Sequence, residues 1–473
     1  MTRKRRENIK TFLLVVLFLM TILLLDLLWL NEGENEFSVD DILGTQQTSV
    51  KIPEINDILR PDYIAFGFGD GSFRLAAGDL VSLQNITMGM VGKAMENSDA
   101  VVNSISSEQF NAVVSDYNSL VIKTCTDLPM ADYAAFLGLN HADSLNAISH
   151  VSAIVFSDAS SESMFIRDGI VNKYYRVLFG ESIDFVQMTK EYAALSETPY
   201  YLAGAVLGGK SRALIPLESS SSLAIMDYEN EYEYGGREMR IEMAEAVFGQ
   251  NFDFVRRITD SFGNITYMYG YGQKVFTANA DGSFAYTSEK LNTYSKGFFA
   301  DLKLAVEFAA SVGGWAYDGG RSALVLREYK NEGNGRASNR VFCFSQYIGG
   351  HEICMENGYA LTVCVESGQV TSLNRNVIII SNSGTSSANN DVADAPNVIA
   401  QNCNHIFNII NNNTLAAATD EAYNFASDAI NSLSMAFYRE NGSSILTPCW
   451  KVETDGVRFY FDLKTAYPLG FTR

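Results

Sequence analysis

Hydrophobic and polar positions divide the chain into one continuous apolar run and a long remainder of alternating and amphipathic stretches. The run is TFLLVVLFLMTILLLDLLWL, residues 11–30, and its length suits one crossing of a bilayer as a helix. Residues 31–58 mix acids, Thr, Gln and isolated apolar positions and read as a linker. Packed structure begins after it. DYIAFGFGDGSFRLAA has aromatic and aliphatic residues on both sides of Asp70-Gly71, which predicts a β-hairpin. A helix is expected over roughly 86–97, and Ser106-Ser107-Glu108 caps an amphipathic turn running to Tyr117. LVIKTC, 120–125, reads as an apolar strand.

Patterning becomes strand-rich near His150, with HVSAIVFSD and SMFIRDGIVNKYYRVLF. The acidic, tyrosine-rich DYENEYEYGGREMR, 227–240, has neither strand nor helix period and reads as a solvated loop. Strands resume on either side of Asp281-Gly282. A strong helix then covers 298–313, where Leu302, Val306, Phe308 and Ala309 fall close to helical spacing. Strands follow it, and Asn357-Gly358 predicts a hairpin turn. A Ser/Asn-rich flexible loop is expected at 381–397, then a helix at about 414–434, a strand at MAFYRE and a hairpin turning at Asp455-Gly456. Helix followed by antiparallel hairpin thus occurs twice, as in a duplicated module.

The expected fold class is α+β: one transmembrane helix, then antiparallel sheets packed with helices. The expected divisions are a cytoplasmic stub (1–10), the span (11–30), the linker (31–58), an N-terminal α+β domain (59–149), a strand-rich middle domain (150–292) and a C-terminal α+β domain (293–473).

Charge gives the span an orientation. Arg3, Lys4, Arg5, Arg6 and Lys10 precede it against the single acid Glu7, and the acidic NEGENE follows it, so the N-terminus is expected in the cytoplasm and the bulk outside. The ten leucines of the run favour insertion by roughly 3–6 kcal/mol, against about 2.5–3.5 for one acid at the centre. Asp26 lies near the outer end, where the cost is smaller. The run is long for a signal peptide and no small-residue cleavage site follows it. Thr21 and Asp26 are the polar groups inside the span. Either Asp26 reaches the headgroups, or it pairs with a partner helix as intramembrane ionisable groups do. Setting the net +4 of residues 1–10 apart from the formal −20 leaves about −24 on the remainder, which argues against nucleic-acid partners.

Six cysteines in 473 residues are too sparse for a disulfide scaffold and are expected to be reduced, mostly on buried strands. Chemistry-bearing motifs are missing from the sequence. Gly67-Phe68-Gly69-Asp70-Gly71 lacks the spacing and following helix of a nucleotide loop. Histidines 141, 150, 351 and 405 show no zinc-ligand spacing, and no nucleophile elbow appears in a strand-to-helix setting. No enzymatic activity, cofactor or metal is expected.

The order of RENIKTFLLVVLFLMTILLLDLLW, DYIAFGFGDG, SSEQFNAVVSDYNSLVIKTCTDLPM, EAVFGQNFDFVRRITDSFGNITYMYGYGQKVFTANADGSFAYTS, VEFAASVGGW and TPCWKVETDGVRFYFDL resembles the YycH family. Those proteins are extracytoplasmic regulators of the YycG sensor kinase in Gram-positive bacteria. The resemblance implies a non-enzymatic membrane protein whose span associates with those of a YycG-like kinase and a YycI-like companion. It also implies a YycI-like C-terminal part and modulation of cell-wall metabolism. The alternative is an extracytoplasmic binding module for a wall fragment or peptide, for which an aromatic-lined pocket near Trp315 or Trp450 would speak.

Overall fold

A computed structural model of the chain describes Met20 and residues 52–473, apart from 78, 97–99, 137–142, 180, 218–222, 291–293, 316–321, 332–337, 357, 383–391 and 413–417. Apart from Met20, the expected span, with Thr21 and Asp26, and the basic stub lie outside the described residues. Among the described residues no helix is long and apolar enough to cross a membrane. Lys51–Arg473 forms one compact unit, and it opens on a short helix, Ile55–Ile58, whose Ile58 is fully buried. The expected linker therefore stops short of residue 58.

Nine strands make the first sheet: β1 (Pro61–Phe68), β2 (Ser72–Ala77), β3 (Val101–Ile105), β4 (Tyr117–Pro129), β5 (His150–Ser157), β6 (Ser163–Asp168), β7 (Lys173–Leu178), β8 (Ala194–Leu202) and β9 (Leu214–Pro216). Their order is β3-β7-β6-β5-β4-β1-β2-β8-β9, antiparallel throughout. The β1–β2 turn is the one expected around Asp70-Gly71: Asp70 accepts from the Ser72 amide at 2.9 Å. Gly69 there has φ +76°, and a Cβ on it would lie 2.9 Å from the Tyr117 Cβ. Alternation sends Ile64 and Phe66 to one face, under the helix Leu80–Glu96, and Ala65 to the other, towards Phe110 of the helix Ser107–Val114.

Fifteen strands make the second sheet. They are β10 (Met226–Asn230), β11 (Arg256–Thr259), β12 (Ile265–Tyr269), β13 (Lys274–Ala278), β14 (Phe284–Ser288), β15 (Ser322–Asn331), β16 (Asn339–Ile348) and β17 (His351–Met355), followed by β18 (Leu361–Glu366), β19 (Gln369–Arg375), β20 (Ile378–Asn382), β21 (Ser432–Arg439), β22 (Ile445–Thr454), β23 (Val457–Asp462) and β24 (Pro468–Thr472). The main path runs β11-β12-β13-β14-β19-β18-β16-β17-β21-β22-β10-β20. One junction, β17 with β21, is parallel. A parallel neighbour needs a long crossover, here supplied by the helices Ala395–Ile410 and Thr419–Ala429. Helix Phe298–Ser311 buries Leu302, Val306 and Ala309 in the same core as Val363 and Leu373, while the crossover helices bury Val398, Ile406 and Ala426 with Trp450, Phe459 and Phe461.

Several expectations are corrected. Residues 227–240 are not a loop, because β10 pairs with β20 and β22, and a helix Glu231–Phe248 follows, anchored by buried Met243, Ala244, Val247 and Phe248. At the expected turn Asn357-Gly358, Asn357 lies outside the described residues and Met355 bridges Gly358, but β17 and β18 do not pair with each other: they lie one after the other along β16, and the β16–β17 hairpin turns at Gly349-Gly350, both left-handed (φ +56° and +85°). In the expected flexible loop 381–397, β20 runs to Asn382 and a helix starts at Ala395, with Pro396 in its first turn; 383–391 lie outside the described residues. Position 150, where composition suggests a new domain, opens β5, which pairs with β4 in the same sheet, and β14 pairs with β19 from beyond the other suggested boundary, position 293, which itself lies outside the described residues. The change of sheet comes between Pro216 and Met226.

Candidate functional site

Where the two sheets meet, charged side chains are buried that an alternating pattern would assign to a wet face. Arg327 lies at a register irregularity in β15, between Leu326 and Glu328, and such a bulge re-aims a side chain. Its Nη1 donates to Asp62 of β1 at 3.0 Å and to the Cys125 carbonyl of β4 at 3.4 Å, while its Nη2 donates to Glu453 of β22 at 2.7 Å. Its Nε lies 3.5 Å from Glu352 of β17. Lys451 donates to Glu352 and lies 3.2 Å from Glu453. Arg458 of β23, directly opposite Glu453, approaches it at 3.6 Å. Above these, the Arg60 guanidinium stacks 4.4 Å over the Tyr347 ring.

Burial opposes charge at Arg327, Glu352, Lys451, Glu453 and Arg458, so their ionisation rests on one another. For Glu352, Lys451 and Arg327 outweigh burial and hold the carboxyl down at about 2. Glu453 is pulled well below the usual carboxylate range by Arg327 and Lys451 against the same penalty. Lys451 is raised: burial and Arg327 oppose its charge, and Glu352 and Glu453 prevail. Arg327, Glu352, Lys451 and Glu453 are ionised at neutral pH.

A cleft of about 550 Å³ opens against this cluster. Asp62, Glu352 and Lys451 form its charged end, Tyr63, Tyr200, Tyr347 and Trp450 supply aromatic wall, and Ser196, Ser432 and Ser434 add hydroxyls. Arg327 occupies one Asp62 oxygen, and the Asp62 side chain keeps 19% exposure. His351, on the rim, lies with Nδ1 3.3 Å from the Met435 carbonyl and donates to it in the Nδ1-protonated tautomer; burial lowers its pKa, so the ring is neutral at pH 7. The arrangement suits binding of a polar ligand with apolar faces.

Arg3, Lys4, Arg5, Arg6, Lys10, Thr21 and Asp26 lie outside the described residues. Trp450 does line the cleft, with its indole nitrogen donating to the Ala393 carbonyl at 2.9 Å, whereas Trp315 packs edge-on against Phe344. All six cysteines are free thiols, five on strands and Cys403 on a helix. Burial raises Cys125 to about 12 and Cys343 to about 11. Gly67–Gly71 is hairpin. Among the described residues no three His, Cys, Asp or Glu side chains are grouped to hold a metal. Sequence reasoning missed the cluster; the one available signal was the spacing of Lys451 and Glu453 on a single face of an otherwise apolar strand.

This two-sheet α+β architecture has a solved counterpart. It is similar to the crystal structure of YycH from Bacillus subtilis, with a TM-score of 0.55 and 11% identity, over 89% of this chain and 98% of that one. The chain has a YycH-like fold. No protein-family model matches the sequence, and no curated protein matches it.

Proposed function

We propose that this chain is a membrane-anchored, extracytoplasmic accessory protein that modulates a sensor histidine kinase controlling cell-wall metabolism. The observation that carries this reading is the YycH-like fold, which spans nearly the whole of both chains. The apolar run at 11–30 with its basic flank supports an anchor whose N-terminus is cytoplasmic. In this reading the span, through Thr21 and Asp26, and the outer sheets contact a YycG-like kinase and a YycI-like companion, the C-terminal region 293–473 being the companion-like part. Such a protein shifts a kinase between two states only by the difference in its contacts with them. A tenfold change in output needs about 1.4 kcal/mol of that difference.

The test co-reconstitutes the full chain with the kinase in liposomes and measures autophosphorylation and co-purification. Replacing residues 11–30 by an unrelated leucine helix is expected to abolish both effects; unchanged coupling removes the membrane part of the reading. Asp26→Leu alone is expected to weaken coupling if Asp26 pairs with a partner helix, and to leave it intact if Asp26 only meets headgroups.

The cleft favours a second reading, a binding module for a wall fragment or peptide. The unused Asp62 oxygen and the neutral His351 suit a ligand with an amine and several hydroxyls. Calorimetric titration with a muramyl peptide tests it, with Asp62→Asn expected to weaken binding about tenfold; absence of heat at millimolar ligand counts against it.

A further inference from the structure

The outer edge of the second sheet combines features that the cleft and the kinase reading leave unused. Its last strand, β11, pairs with β12 alone, and all four of its residues are exposed. The β11–β12 turn fixes the phase of the hydrogen bonds. The Asp260 amide donates to the Asn264 carbonyl at 3.1 Å, so the bonded pairs are Ile258 with Thr266 and Arg256 with Met268. The N–H and C=O groups of Arg257 and Thr259 therefore point away from the sheet, and β11 has no further strand neighbour among the described residues.

Large apolar side chains flank this open edge. Phe254 is 77% exposed, Phe262 81% and Ile258 41%. Tyr271, fully exposed, is held left-handed (φ +57°) between two left-handed glycines. A bulky residue in that conformation costs energy and buries nothing here, a pattern found at binding surfaces. Edges left open in this way are normally blunted by charge, proline or a bulge. Here the charges are Arg256 and Arg257, a local basic pair on a chain of formal charge −20. Of the neighbouring acids, Asp260 is taken up by the Phe262 and Asn264 amides at 2.9 Å, while Asp253 stays exposed.

We infer that β11 is a docking edge for an extended segment of a partner protein in which carboxylates alternate with apolar residues, added as a further strand. Strand addition satisfies the outward groups of Arg257 and Thr259, and Phe254, Ile258 and Phe262 supply anchors of the kind that dominate interfaces. A second copy of this chain is the poorer occupant. Centred on Ile258, two antiparallel copies would set Arg257 opposite Thr259 and Arg256 opposite Asp260, whose carboxylate is already held by the Phe262 and Asn264 amides, so neither arginine gains a free counter-charge. Carboxylates on an incoming strand supply one. The inference holds whether or not the partner belongs to a kinase assembly.

The test measures fluorescence anisotropy of the full chain in detergent with two labelled probes, Thr-Glu-Val-Glu-Val-Thr and Thr-Lys-Val-Lys-Val-Thr. The acidic probe is expected to bind at least tenfold more tightly. Thr259→Pro removes one outward N–H while leaving the bonds of Ile258 and Arg256 to β12, and is expected to weaken the acidic probe at least tenfold. The double variant Arg256→Glu/Arg257→Glu keeps the edge and is expected to reverse the ranking, which decides the matter if the proline variant fails to fold. Equal binding of both probes, or an unchanged ranking in the double variant, overturns the inference. So does concentration-dependent self-association in sedimentation that Thr259→Pro abolishes, since the occupant is then a second copy.

Discussion

At the scale of single residues, the buried ion cluster is the feature most exposed to test. Arg327 contacts Asp62, Glu352 and Glu453 at once, so Arg327→Met strips Asp62 of its cation and leaves Glu352 and Glu453 to share Lys451 and Arg458. Breaking a buried pair from one side typically costs about 3–5 kcal/mol, and the loss is expected in the chemical-denaturation midpoint at pH 7. Acid acts through the same group. Glu352 is held at about 2 in the fold against an ordinary 4.5, a difference equivalent to about 3 kcal/mol. Because its folded value is the lower one, this stabilisation is complete above about pH 4.5 and is lost as pH falls towards 2. Denaturation midpoints taken from pH 6 to pH 2 should fall accordingly, and Glu352→Gln should lower stability at pH 6 while flattening the slope. The cysteines give a simpler count: all six are free, so an unreduced sample in guanidinium should titrate six thiols. Fewer than six would reveal a disulfide.

At the scale of elements, local chemistry and long-range partners separate clearly. The helix Ser107–Val114 begins where Ser106 announces it, with the Ser106 hydroxyl accepting from the Gln109 amide at 3.2 Å and the Gln109 side chain accepting from the Ser106 amide at 3.0 Å. Ser106→Ala is expected to cost about 1 kcal/mol, visible as faster amide exchange in that helix. The hairpins at Asp70-Gly71, Asp281-Gly282 and Asp455-Gly456 were equally legible, since turn residues and alternation lie within a dozen positions. Asn357-Gly358 carried the same signal and misled, because the chain turns back at Gly349-Gly350 and β16 takes both following strands on one side. The start of the helix Glu231–Phe248 was not legible for a related reason: its sequence there is tyrosine-rich and acidic with no period, and buried Met243, Ala244, Val247 and Phe248 come after it.

At the scale of the whole molecule, β1 and β4 of the first sheet meet β15 and β22 of the second through Arg327, and the cleft lies beside that junction. Asp62→Ala should therefore loosen the junction more than either sheet. Hydrogen exchange is expected to rise in β1, β4 and β15 while β12–β14 stay protected; uniform change across both sheets would mean global destabilisation instead. Sequence by itself determined the α+β class, most strands and their turns, the reduced state expected of the cysteines and the order of features that resembles the YycH family, because each depends on spacing within a segment. Tertiary structure decided the parallel junction of β17 with β21, the open edge at β11 and the cleft. It alone brought residues 62, 327, 352, 451 and 453 together, since whether a charge can be buried depends on which distant counter-charges the fold delivers to it.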